Sequence, residues 1–469
     1  MSDSLSPVAE RERNHTLDLM RGVAVLGILL MNVWGFAAPF GYYTTPNFFG
    51  ETTGAPVLTW LLVFTFAEGS QRALFSLLFG AGAMLLLQRL TARDHGLATA
   101  DIYYRRNLWL VLFGLFNAYI LMWPGDILYV YGIAALLLFP LRNLSARQLV
   151  FLFLIPALLV TAKRGLDFLE ATESHAAYQA AITVRDGGEA SLSDKGESAL
   201  DAAGEKVSVL SEEQEKTIEK WEGKIETISS EDSQRALKAM QGSFADNFQN
   251  RAGESRFVQT QLHTGMWFGD ALMAILLGMA LFKAGIVSGQ KKTGFYLRML
   301  LLCYGVGVPV SIWESSYMAS NGFSPMAEAV TDLTYDLGRL SIALGNMALI
   351  VLFARSDLLR WLQYSLQAVG RMALTNYLAQ SLLGALVFYG FAGGLYGSVY
   401  GYQLYYFVAL VWLVQLAWSP IWLRYYRFGP AEWLWRSLTY WKLQPLRRKD
   451  SPVEDSKGEG RLAGLESQG

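Results

Sequence analysis

The run VLTWLLVFTFAEGSQRALFSLLFGAGAMLLL, Val57–Leu87, decides the fold. At about 1.5 Å per residue it is longer than one untilted crossing of a hydrocarbon core of ~30 Å requires. It is also broken near its middle by Glu68-Gly69-Ser70-Gln71-Arg72. Two crossings would put Arg89, Arg93, Arg105 and Arg106 outside, against the bias that keeps Lys and Arg in inner loops. One crossing made of two helical pieces keeps them inside. The run is therefore read as a broken or partly re-entrant element. Polar residues at that depth are tolerated only where protein or a water-filled cavity surrounds them.

Working outward, about ten apolar stretches have the length of a membrane crossing. Besides the opening run they are near Leu17–Phe36, Asn107–Trp123, Ile127–Leu141, Leu149–Ala162, Gly265–Phe282, Phe295–Tyr317, Leu333–Phe353, Met372–Phe391 and Tyr402–Trp422. Lys and Arg mark every second gap, as at Arg142 and Arg147, Lys283 to Arg298, Arg355 to Arg371, and Arg424 to Lys449. That alternation predicts an all-α polytopic membrane protein with both termini cytoplasmic. The run at Leu17 is expected to be a retained span, because Asp18 and Arg21 crowd its start and Asn32 interrupts its end. Residues 1–16 form an N-terminal arm, 17–162 a first membrane bundle and 263–449 a second. Between the bundles, Lys163–Leu262 carries 12 Lys or Arg against 19 Asp or Glu, with no spanning run. It reads as an acidic, helix-rich periplasmic insertion, since long domains cross regardless of charge. Residues 450–469 are polar and Gly-rich and read as a disordered tail.

Composition narrows the function. A hydrophobic share of 52% and 14 Trp suit a bilayer protein with interfacial aromatics. A net charge of −1 leaves no basic footprint for nucleic acid. The single cysteine, Cys303, rules out an intrachain disulfide or thiolate cluster and reads as packing. His15, His95, His175 and His263 lie outside the apolar runs without zinc-type spacing, so no metal and no tightly bound cofactor is expected.

Function is then sought in the polar residues of the spans, which are costly there. Asp18 and Arg21, three apart, share a helix face, and Asn32 returns to nearly the same face. They form either an interfacial pair with an interhelical hydrogen bond or the lining of a substrate path. Glu68 and Arg72 are expected to pair beside a cavity. Asp126, after Pro124-Gly125, is a helix cap or a site residue. Asp270 has no neutralising neighbour in sequence. Asp332, Asp336, Arg339 and Asn346 form one stripe, and Arg371, Thr375, Asn376 and Gln380 another. Asp18, Arg21, Asn32, Arg72 and Asn376 are expected to meet in one cavity.

Four stretches carry a resemblance: LDLMRGVAVLGI from Leu17 with Asn32, LFSLLFGAG from Leu74, VGRMALTNYLAQS from Val369, and FGPAEWLWRSLTYWKLQPLRR from Phe428. Together they resemble the bacterial YeiB-like family, whose C-terminal half is catalogued as domain of unknown function 418. Membership implies the bacterial inner membrane. The opening LD-x-x-RG-x-A is also similar to a wider group of transmembrane acyltransferases, which includes the lysosomal heparan-glucosaminide N-acetyltransferase. That likeness implies transfer of an acyl group from cytosolic acyl-CoA to an envelope sugar or lipid. Arg21, Arg105, Arg106 and Arg371 would hold the CoA phosphates. Such enzymes are expected to use a histidine base. No span contains one, and only His263, at the outer mouth of its span, and His15, at the inner mouth of the first, lie close; otherwise a carboxylate among Asp18, Glu68 and Asp126 would serve, with Asn32, Arg72 and Asn376 beside it. A secondary transporter with a midplane polar site, and a non-enzymatic membrane component that binds a partner through the insertion, are the alternatives.

Overall fold

The computed structural model describes residues 14–39, 41–44, 46–50, 53–92, 97–186, 198–200, 206–208, 210–224 and 230–448. The expected disordered tail, 450–469, lies outside them.

Helix α1, His15–Ala37, begins where the Asn14 side chain accepts the Leu17 N–H. It carries no charge beyond Arg21 and is buried on nearly every side. A helix apolar all round has to sit inside a bundle, and α1 is the central post of this one. The turn Gly41–Thr44 (α2) leads to α3, Ala55–Phe66, and α4, Ser70–Ala92. The break between α3 and α4 falls at Ala67–Gly69, with Gly69 at φ +59°, a left-handed value that glycine adopts without strain. Helix α5, Leu97–Leu115, runs into a π-helical turn, Phe116–Ile120, ahead of α6, Leu128–Leu136.

Helix α7 runs Ala146–Arg185 without interruption, started by a capping box of Ser145 and Gln148. The expected boundary at Ala162 is therefore not a structural one. At ~1.5 Å per residue the helix is roughly 60 Å long, about twice a hydrocarbon core. The rest of the insertion has a hairpin of three-residue strands (Ser198–Leu200 with Lys206–Ser208), then α8, Glu212–Glu222, α9, Glu231–Met240, and α10, Phe244–Phe257. Ser211, Ser230 and Ser243 cap α8 to α10. A π-helical stretch, Val258–Trp267, enters α11, Phe268–Lys283. Then come α12, Thr293–Ser320, α13, Pro325–Arg355, α14, Arg360–Arg371, α15, Ala373–Phe388, α16, Leu404–Tyr425, and α17, Pro430–Tyr440.

Among the described residues, six helical stretches are long and apolar enough to cross a membrane: His15–Ala37, Ala55–Thr91, Ala146–Arg185, Thr293–Ser320, Pro325–Arg355 and Gly401–Tyr425. The chain is thus a helical membrane protein. Its outward apolar faces include Phe151, Leu158 and Leu159 on α7 and Leu301 and Leu302 on α12, all exposed.

We call the end of the bundle at His15 proximal and the end at Ala37 distal. At the proximal end, basic side chains bond loop carbonyls. Lys283 Nζ donates to Arg142 O at 2.8 Å and Arg355 Nη2 to Lys291 O at 2.6 Å, while Asn14 Nδ2 reaches Ser288 O at 3.2 Å. At the distal end the insertion docks on the bundle. Gly390 N–H donates to Met240 O at 2.8 Å, and Arg251 Nη2 to Gly35 O at 2.9 Å. The gaps rich in Lys and Arg and the acidic insertion therefore occupy opposite ends.

Candidate functional site

Two helix crossings position the site. A Cβ on Gly22 of α1 would collide with the carbonyl of Leu366 in α14, and one on Gly370 with the carbonyl of Asp18. Gly80 of α4 and Gly278 of α11 likewise rest on the carbonyls of Ile275 and Leu77. Small residues let membrane helices approach at backbone distance. The first contact brings Asp18 and Arg21 to the same cavity as Arg371.

That proximal cavity, about 190 Å³, is lined by Asp18, Arg21, Arg106, Arg371, Glu432 and Arg436, above walls that include Phe75, Leu78, Phe79 and Leu86. Arg21 Nη1 lies 3.3 Å from Asp18 Oδ1. The Arg106 guanidinium is 3.6 Å from the centre of the Trp435 ring, whose Nε1 donates to Arg106 O at 2.8 Å. Glu432 caps α15 from outside: Oε1 accepts the N–H groups of Leu374 and Thr375 at 2.6 and 3.1 Å, and Oε2 accepts the Thr375 hydroxyl at 2.5 Å. Burial pushes the Glu432 carboxyl above the ordinary range, although these donors pull it back. Four guanidiniums facing two carboxylates in an apolar-walled pocket suit an anionic head on an apolar body.

A second, distal cavity of about 80 Å³ is lined by Asn32, Tyr43, Gln71, Arg72, Trp123 and Trp267, with Arg251 and Glu254 of α10. Arg251 Nη1 bonds Glu254 Oε2 at 2.5 Å. A thin partition separates the cavities. Tyr131 and Tyr377 line the proximal one and Ile127 the distal one. The Tyr377 hydroxyl accepts the Ile127 N–H at 3.3 Å and donates to Asp126 Oδ1 at 3.4 Å. The Tyr131 hydroxyl shares a 2.5 Å hydrogen bond with Ser76. Asp126 Oδ1 also accepts from Asn117 Nδ2 at 2.8 Å, while Oδ2 takes the Tyr129 N–H at 2.8 Å, so it is at once a cap of α6 and a part of the partition.

Beside the distal cavity lies a chain of charges, buried at Asp270, Arg339 and Arg164 and half-buried at Arg72, Asp336 and Asp332. Arg72 Nη2 is 3.5 Å from Asp270 Oδ2, and Asp270 also pairs with Arg339. Arg339 meets Asp336 at 2.6 Å, and Arg164 of α7 reaches Asp336 at 3.2 Å and Asp332 at 3.0 Å. Asp270, without a partner nearby in sequence, is thus neutralised from α4 and α13.

Several expectations change. Asp18, Arg21, Asn32, Arg72 and Asn376 do not share one cavity. The first two line the proximal cavity, Asn32 and Arg72 line the distal one, and Asn376 lines neither, bonding Val369 O and Ser419 at 3.2 and 3.1 Å. Glu68 and Arg72 meet through a third group, the Tyr335 hydroxyl, which donates to Glu68 Oε1 at 2.9 Å and accepts from Arg72 Nη2 at 3.0 Å. The break at Gly69 shifts the helical phase that direct pairing at i, i+4 requires. Arg371 closes α14, and Met372 (φ −111°, ψ 31°) separates it from Asn376 and Gln380, so the stripe is divided. Arg105 stands apart from the proximal cavity, paired with Asp101 and bonding Thr439 O at 3.0 Å. The side chain of His263 lies outside the described residues. Sequence reading passed over Glu432 and Trp435, although both stand in the quoted FGPAEWLW stretch. It passed over Tyr377 as well, in the quoted VGRMALTNYLAQS stretch, and nothing local marked Tyr131, Arg251 or Glu254.

Apolar helices around two stacked cavities define the class: a polytopic membrane protein with a cavity toward each end of the bundle. Residues 281–442 match the family described as protein of unknown function (DUF418). The chain is 30% identical over 449 residues to the uncharacterized protein YeiB of Escherichia coli strain K12, which covers 94% of this chain and 100% of that protein. It is 28% identical over 466 residues to the uncharacterized protein YxaH of Bacillus subtilis strain 168, covering 95% of this chain and 99% of the relative. The chain belongs to the DUF418 family with YeiB. No solved structure matches it.

Proposed function

We propose that this protein is an inner-membrane acyltransferase with about ten crossings, its proximal face cytoplasmic and its insertion periplasmic. It binds acyl-CoA in the proximal cavity and passes the acyl group to an envelope acceptor in the distal one. The observation that carries this reading is the convergence of Arg21, Arg106, Arg371 and Arg436 on one apolar-walled cavity. Guanidinium forks suit phosphate oxygens, and Phe75, Leu78 and Phe79 suit the acyl chain. The gathering of basic loops at the proximal end supports that orientation. In the reaction an acceptor hydroxyl or amine attacks the thioester carbonyl, the C–S bond breaks, and CoA leaves as the thiol. Asp126, on the partition, is assigned to take the acceptor's proton and to hand it to the departing CoA sulfur, with the Tyr377 hydroxyl holding the carboxylate in place.

The test is thiol release from palmitoyl-CoA or acetyl-CoA by the purified protein in lipid nanodiscs. Release above that of empty discs, lost in Asp126→Asn, supports the reading; none with either donor rejects it.

One observation favours a second reading, an ion-coupled transporter: the linked charges from Arg72 to Asp332 cross four helices, α4, α11, α13 and α7. Solute uptake in proteoliposomes driven by a proton gradient would support it.

A further inference from the structure

We propose that the corner where the end of α16 meets the segment Trp441–Arg448 binds the headgroup of an anionic phospholipid, and that the bound lipid braces α17. The site is separate from the proximal cavity and does not rest on the acyl-transfer reading.

Two stretches of chain pair to build the corner. Tyr426 and Arg447 form an antiparallel bridge, in which Arg427 N–H donates to Leu446 O at 2.9 Å and Arg448 N–H to Tyr425 O at 3.1 Å. That register sets Arg427 beside Arg447, and Arg424 lies in the last turn of α16 just before them. Arg424, Arg427, Lys442 and Arg447 are all exposed, and among the described residues none of these four side chains meets a carboxylate or a carbonyl. Other cations at this end are met from within the protein: Arg105 by Asp101, Arg360 by Asp357, and Lys283 and Arg355 by loop carbonyls. The bias that keeps Lys and Arg in inner loops explains why cations collect at one end. It does not explain four uncompensated ones on one folded corner.

The corner also continues the lipid-facing surface. Leu410, Val414, Trp418, Ile421 and Tyr425 make an exposed stripe at helical spacing along α16, and Arg424 stands at its proximal end. On the other flank Trp441, 67% exposed, lies against Trp109 of α5 with ring centres 6.1 Å apart, and Leu443 is exposed beside it. Trp and Tyr at the end of a span mark the headgroup level. Acyl chains laid on the α16 stripe therefore bring a phosphate to arginine forks that match its oxygens. A basic cluster beside the end of a span attracts anionic lipid more strongly with each cation it carries.

The segment is tied to α17, because Trp433 Nε1 donates to Gln444 O at 2.7 Å. Glu432, Trp435 and Arg436 of that helix line the proximal cavity. A lipid held at the corner thus braces one wall of the cavity from outside.

The experiment is native mass spectrometry of the full-length protein in detergent, titrated with phosphatidylglycerol, phosphatidylcholine and glycerol 1-phosphate, with thermal unfolding of the same samples and no acyl-CoA present. Phosphatidylglycerol is expected to bind about fivefold or more tighter than phosphatidylcholine and to raise the melting temperature further. The triple variant Arg424→Gln/Arg427→Gln/Arg447→Gln should erase that preference. Lys291→Gln/Lys292→Gln/Arg298→Gln, which removes the same charge elsewhere at the proximal end, should keep it. Equal binding of the two lipids by the parent protein overturns the proposal, as does a preference that survives the corner variant or is erased by both. Displacement of phosphatidylglycerol by an equal concentration of glycerol 1-phosphate would mark a site for free phosphate esters and overturns it too. Tighter binding without a higher melting temperature removes the bracing of α17 alone. If the corner variant does not fold, the parent protein decides: the preference must fall as salt rises, and one unchanged by salt overturns the proposal.

Discussion

Gly22 of α1 and Gly370 of α14 meet backbone to backbone, each filling the space that a side chain on the other helix would need. Gly22→Ala is expected to cost about 1–3 kcal/mol by overpacking and to lower the melting temperature in detergent. Gly165→Ala, on the open surface of α7 where a Cβ meets nothing, should be neutral or stabilising by up to about 1 kcal/mol. Equal melting temperatures for the two variants would contradict the crossing.

Glu432 ties the start of α15 to α17, and its carboxyl is held above the ordinary range by burial. A carboxyl raised in this way binds its proton more tightly in the folded protein than in the unfolded chain. Its contribution to stability is therefore full at pH below the unfolded value and declines as pH rises through the folded value. Glu432→Gln keeps an acceptor for the Leu374 N–H and removes the titration, so unfolding measured from mildly acidic to neutral pH should vary less than in the parent protein. An unchanged slope would show that Glu432 does not titrate in that window.

Arg106 and Arg371 are expected to hold the anionic head of the donor. Arg106→Ala or Arg371→Ala should weaken acyl-CoA binding about tenfold or more, since a hydrogen bond to a charged group is worth ~1.5–3 kcal/mol. The loss should be larger at low salt. Arg105→Ala serves as the comparison, because Arg105 bonds Asp101 and Thr439 away from the cavity. Calorimetric titration of acyl-CoA into nanodiscs decides the matter, and equal affinities for all three variants would exclude the arginine cradle.

Asp270 holds two guanidiniums, Arg339 and Arg72, in the interior. Asp270→Asn leaves both without their shared counter-charge and should destabilise the fold by about 3–5 kcal/mol. Reduced membrane yield together with a lowered melting temperature is the expected result. Full recovery of folded protein would mean that Asp336 alone suffices for Arg339.

The proposed orientation predicts that fusions at Gly223, in the insertion, and after Arg448 report opposite sides of the membrane. Alkaline phosphatase should be active only at Gly223 and a fluorescent reporter only after Arg448. The same sidedness for both would reverse or break the topology.

What the sequence made legible was whatever a short window contains. Apolar length identifies α1, α12 and α13 as spans, and the charged interruption at Glu68–Arg72 marks where α3 gives way to α4. Arg21 and Asp18 pair because both sit on one turn. The rest depends on which helices touch. Two cavities replace one because Tyr131 and Tyr377, from α6 and α15, close the space between Asp18 and Asn32; Tyr377 stands in a quoted stretch, but which helix it meets is not written there. The break at Met372 has no proline or glycine at it, so Arg371 looked continuous with Asn376. Helix α7 outran its expected end because a helix held by backbone hydrogen bonds does not need apolar residues to continue beyond the bilayer.

That length gives the molecule a mast. Helix α7 is one rod from its cap at Ser145 to Arg185, stepped in the bundle where Arg164 grips Asp332 and Asp336. Near its other end His175 and Tyr178 stand against Trp221 of α8, with ring centres 5.0 and 5.7 Å away. A pull on α8 would therefore bear, through that spar, on the half-buried carboxylates of α13 and, by way of Arg339 and Asp270, on Arg72 at the rim of the distal cavity.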